Sequence, residues 1–161
     1  MLSTVKSPAW FGACVAAATT TLLLCDTGAA SAATDPHFVP EETTMTWDGK
    51  TATVTFLETD VDLDANATTI STRVSAAVDA VCTKAESTLH VHRAASALRA
   101  NDYLISFDGT VPGTATVPLK VPSWNVSGYT CVVEHISMTA ELEDFWTGAT
   151  LTHRHGRAAA F

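Results

Sequence analysis

The chain has 161 residues, with 17 Asp and Glu against 9 Lys and Arg, and a formal net charge of −8. That balance argues against a nucleic-acid partner, because phosphate binding needs clustered Lys and Arg. It argues equally against attraction to an anionic membrane surface.

Residues 1–33 have the three parts of a secretory signal peptide. Lys6 gives a weakly positive start, residues 8–25 form an apolar middle, and Gly28-Ala29-Ala30-Ser31-Ala32-Ala33 supplies small residues for cleavage. Thr19-Thr20-Thr21 interrupts the apolar run, which falls short of the ~20 apolar residues of a spanning helix. Leu24 stands before Cys25 where a lipoprotein needs a small residue. The expected product is therefore secreted, extracellular and without a membrane span, and keeps about 128 residues, the size of one domain. Cys14 and Cys25 leave with the signal. Cys82 and Cys131 remain, an even pair in an exported chain, and are expected to form a disulfide.

Residues 34–43 carry two prolines and read as a flexible lead-in. A β-sandwich domain is expected over 44–154, and a frayed tail over 155–161. Asp48-Gly49 separates two β-rich runs and predicts a hairpin. In the second arm Val54 and Phe56 share a face. The apolar phase then passes to Leu57, Val61 and Leu63, so that Glu58, Asp60, Asp62 and Asp64 are expected on the opposite face, wet or holding a cation. The acidic row departs from a calcium loop at Ala65, where the turn Gly belongs, and at Ser71, where the closing Glu belongs.

Residues 67–85 fit both helical and strand spacing. Their β-branched content favours a strand that places Val74, Ala76, Val78, Ala80 and Cys82 on one face. A short strand is predicted at Leu89–His92, a stretch that alanines would permit to be helical at 93–101, and a strand at Tyr103–Phe107. Thr114–Val121 alternates with Val117, Leu119 and Val121 inward, and Pro118 confines it to an edge. The Cys131 strand runs to about Leu142, and a last strand covers Gly148–His153. About eight or nine short strands between turn signals predict an all-β, antiparallel sandwich, with the disulfide joining its two sheets.

Tyr129-Thr130-Cys131 resembles the immunoglobulin tyrosine corner, in which a Tyr sits two residues before the second core cysteine. The core Trp of that family has no counterpart at Ala94, Ala95 or Ala97, so the resemblance implies an immunoglobulin-like build rather than an antibody-type domain. In overall rhythm the chain is similar to a loose group of small secreted actinobacterial proteins. Ala80-Val81-Cys82, Asp108-Gly109-Thr110, Tyr129-Thr130-Cys131, Asp144 and Gly148-Ala149-Thr150 carry that similarity. It implies export and fold, and brings no activity with it.

Two sets of residues are candidates for function. His90 and His92, and His153 and His155, are two apart and project pairwise from one strand face. With His135 they are candidate ligands for zinc or copper. Phe145 and Trp146, beside Glu143 and Asp144, and Trp124 in a loop are candidates for a partner surface. No nucleophile elbow, phosphate loop or zinc-protease motif is present, and no Ser, His and Asp spacing marks a triad. The sequence reading is a non-catalytic exported module that binds a protein or an envelope component, with an exported metal-binding protein as the alternative.

Overall fold

The computed structural model describes residues 35–61 and 64–158. The signal peptide expected over 1–33, Asp62 of the acidic row and Leu63 of the apolar set lie outside them. The described chain is almost wholly antiparallel β, in two sheets. β1 (His37–Phe38), β2 (Thr44–Trp47), β3 (Thr51–Thr59) and β6 (Val111–Pro118) form one sheet. β1 and β2 line one side of β3, and β6 lines the other. The second sheet has the order β5-β4-β7-β8, with β4 (Ala67–Lys84), β5 (Ser87–Leu104), β7 (Thr130–Asp144) and β8 (Thr150–Ala158). A 3-10 turn occupies Pro40–Glu42.

The core lies between the sheets. From β3 it takes Ala52, Val54 and Phe56, from β6 Ala115 and Val117, and from β4 Ile70, Val74, Ala76, Val78 and Ala80. Alternate residues of each strand point inward, as the pleat requires. Residues 67–84 adopt the strand that their β-branched content favours. β4 is central and pairs with β5 on one side and β7 on the other along nearly its whole length. The hairpin at Asp48-Gly49 forms as expected. Gly49 alone takes positive φ (90°), while the Asp48 carboxylate accepts the Lys50 and Thr51 amides at 2.8 and 2.7 Å. Pro118 lies on β6, which has one neighbouring strand in its sheet.

Five expectations are corrected. Cys82 and Cys131 are bonded (S–S 2.03 Å), but they face each other across adjacent strands of one sheet and do not join the two sheets. The reason is that β7 pairs directly with β4, placing the cysteines in register. The lead-in is ordered from His37: Phe38 is buried and meets Phe56 edge-on at 5.7 Å. β3 does not change phase at Leu57, and Glu58 stays inward with Val54 and Phe56. Residues 87–104 form one long strand rather than two with a helical turn, because pairing with β4 overrides the weak strand preference of alanine. The last strand continues to Ala158, past the expected start of a tail.

Candidate functional site

Among the described residues two carboxyl side chains are wholly buried, Glu58 on β3 and Asp144 at the end of β7. Each occupies the inward phase of its strand, following Val54 and Phe56 in one case and Met138, Ala140 and Leu142 in the other. They therefore approach from opposite sheets. The turn between β7 and β8 organises around them. Asp144 Oδ1 accepts the Thr68 hydroxyl at 2.6 Å and the backbone amides of Trp146 at 2.7 Å and Thr147 at 3.1 Å. The Thr147 hydroxyl donates to Glu58 Oε1 at 2.9 Å and accepts the Ala149 amide at 3.1 Å.

The remaining oxygens, Glu58 Oε2 and Asp144 Oδ2, are buried and meet no donor on any other group among the described residues. A proton on Glu58 directed at Asp144 satisfies both, because a neutral carboxyl donates and a carboxylate only accepts. Loss of water around Glu58 pushes its pKa up to about 8. The hydrogen bond to Asp144 and that group's charge add to the rise, while the Thr147 hydroxyl opposes it. Glu58 is thus a neutral acid at pH 7. Three donors converge on Asp144 Oδ1.

Above this pair, three connections meet at one end of the sandwich. The Val61 amide donates to Gly109 O, the Ile105 amide to Asn66 O and the Phe145 amide to Thr69 O, each at 3.0 Å. Leu104, Phe107, Phe145 and Trp146 are all exposed there, Phe107 by 91% and Trp146 by 61%. The same connections carry Asp60, Asp64 and Asp108 and contain no Lys or Arg, and Asp102 and Glu143 lie near the ends of the strands that enter them. Asp108 accepts both the amide and the hydroxyl of Thr110, and these bonds hold its carboxyl below the usual range.

The structure divides the other sequence candidates. Phe145 and Trp146 lie at this aromatic end. Trp124 does not: it is half-buried near the disulfide, with its carbonyl 3.7 Å from Cys82 Sγ, and packs on the core. The histidines separate onto two faces. His90 and His92 are exposed on β5, and His92 Nδ1 meets Asp79 on β4 at 2.6 Å. His135 on β7 is in register with the same Asp79. His153 and His155 on β8 are in register with Ala140 and Met138, whose side chains point inward, and His155 lines a cleft with Met45, Trp47 and Met138. Among the described residues no three His, Cys, Asp or Glu side chains are placed to hold a metal ion.

Sequence reasoning missed the Glu58–Asp144 pair. The available signal was one acid on the apolar phase of each of two strands. Phe107 was missed because exposed loop residues leave no periodic trace. Compared with known proteins, the chain matches no family model, no curated protein and no solved structure.

Proposed function

We propose that the protein is an exported, non-catalytic binding module, and that it holds its partner with the end of the sandwich that bears Phe107, Phe145 and Trp146. The observation that carries this reading is the exposure of those rings on two of the connections at one end of the sandwich, with acidic residues on and beside them. A monomer rarely leaves large apolar side chains together in water without a use for them. Aromatic residues are enriched at interface centres, where they bury much area for few lost rotamers. These acids call for a basic partner surface with an apolar recess, which fits an envelope protein better than an anionic lipid or nucleic acid. In this reading the chain works outside the cell, which the signal-peptide pattern of residues 1–33 supports. The histidines do not enter, since they divide between two faces.

The test is retention on isolated envelopes of the source cells by co-sedimentation. The wild-type protein is expected to be retained, with retention falling as salt is raised. F107S/F145S/W146S is expected to lose it while unfolding within ~0.5 kcal/mol of wild type, as surface substitutions do. Equal retention of the triple variant defeats the proposal.

A further inference from the structure

We propose that Glu58 and Asp144 form a proton-operated latch, which holds the β7–β8 turn against the facing sheet and releases it when the shared proton is lost. As a control on binding, this rests on the reading of Phe107, Phe145 and Trp146 as the contact face. The latch itself stands on geometry. Glu58 belongs to one sheet, Asp144 to the other and Thr147 to the turn that follows it, and both carboxyls are shut away from water. Asp144 fixes the amides of Trp146 and Thr147, and Thr147 reaches across to Glu58. One proton thus joins the sheets through a turn whose other side chains, Phe145 and Trp146, face solvent.

Among the described residues no neighbouring base is placed to neutralise the pair. From β1 comes His37, which is exposed, bonds Asp35 O and lies 3.5 Å from Asp60 at the end of β3. From β5 comes Tyr103, edge-on to Phe56 at 5.1 Å, whose buried phenol is pushed above its usual range and stays neutral. The connection before β6 supplies Asp108, which is occupied with Thr110. The connection before β4 supplies Asp64, and β4 itself Thr68, whose hydroxyl is already given to Asp144. Glu143 is exposed beside Asp144. Apart from the histidine, all these titratable groups are acids or a phenol. When Glu58 loses its proton, two carboxylates face each other in an apolar interior, and among the described residues neither charge has a cation to meet. β3 and β7 are held by their ladders, so the short turn, which outside this pair is tied only by the Phe145 amide to Thr69 O and by the bonds of Asp144 with Gly148 and Ala149, is the part that yields, at Trp146 and Thr147 first.

The experiment is amide hydrogen exchange, followed by NMR between pH 6 and 9.5 and corrected for the intrinsic rise in exchange with base. In the wild type, protection of the Trp146 and Thr147 amides is expected to fall about tenfold or more above pH ~8, with protection around Cys82 unchanged. Glu58→Gln keeps a donor to Asp144 and cannot ionise, so its protection should be flat. Flat protection in the wild type, or the same fall in the variant, overturns the latch. If the variant does not fold, the Glu58 carboxyl is followed by 13C shift in the wild type, and a midpoint near that of free Glu overturns it as well. Envelope retention at pH 6 and pH 9 separates the two ideas. A latch that opens without changing retention removes its role in binding. Retention that depends on Trp146 while protection is flat leaves the binding face standing and the latch refuted.

Discussion

The Thr147 hydroxyl on the β7–β8 turn lies 2.9 Å from Glu58 Oε1 on β3, so a hydrogen bond crosses from one sheet to the other beneath the exposed rings of Phe145 and Trp146. It ties a buried acid to a surface feature. The pair is also the part of the molecule with the clearest dependence on solution conditions.

Stability should fall as pH rises. The Glu58 pKa is about 4.5 in the unfolded chain and about 8 when folded. The folded state therefore binds the proton more tightly, and its advantage is complete below 4.5 and lost as pH climbs to about 8. Within that window the slope approaches ~1.4 kcal/mol per pH unit. Asp48 and Asp108 act in the opposite direction, because hydrogen bonds lower their pKa values, but their effect lies below 3.8. Urea unfolding at pH 5, 6.5 and 8 measures the loss, and Glu58→Gln should flatten it.

Asp144→Ala should cost about 3–5 kcal/mol, because Thr68, Trp146 and Thr147 lose their common acceptor and a buried partner is left unpaired. Asp144→Asn keeps Oδ1 and should cost less than half as much. Equilibrium denaturation of the two variants gives the comparison.

Gly113→Ala should destabilise the protein by about 1–3 kcal/mol, as overpacking of a filled core does. Gly113 pairs with Phe56 across β3 and β6, and a Cβ at Gly113 would come within 2.2 Å of the Phe56 ring. Phe56 is buried and held between Phe38 and Tyr103, so it has little room to move. Phe56→Leu with Gly113→Ala should cost less than the two changes added separately, which a double-mutant cycle reads directly.

Removing the disulfide with Cys82→Ala and Cys131→Ala should lower stability by about 2–4 kcal/mol, since the bond closes a loop with a sequence separation of 49. The pH slope should survive unchanged, because Thr68 and Cys82 are ~46 Å apart along β4 at the rise of a strand.

The strands were legible where alternation was clean. Val74, Ala76, Val78, Ala80 and Cys82 announced the inward face of β4, and Pro118 announced an edge. Asp48-Gly49 announced its hairpin for the same local reasons that form it. What failed depended on partners distant in the chain. Glu58 read as wet or cation-holding because Leu57, Val61 and Leu63 line up as an apolar set on the other phase; Asp144, from the other sheet, and Thr147, from the turn after it, make its inward phase tolerable. Ala94, Ala95 and Ala97 read as helix formers, and their pairing with β4 decides otherwise. The cysteines were correctly paired and wrongly placed, because a sequence gives no order of strands within a sheet. The five candidate histidines made two regular pairs and a single, but regular spacing along a strand says nothing about which strands lie side by side.

The covalent bridge between Cys82 and Cys131 also sets a direction for failure. It staples β4 to β7 at the extremity remote from Asp144, so thermal fraying and protease entry should start from the Phe107 and Trp146 side and travel toward the sulfurs. Alkaline surroundings would hasten that opening, and an acidic medium would keep the molecule shut from both extremities at once.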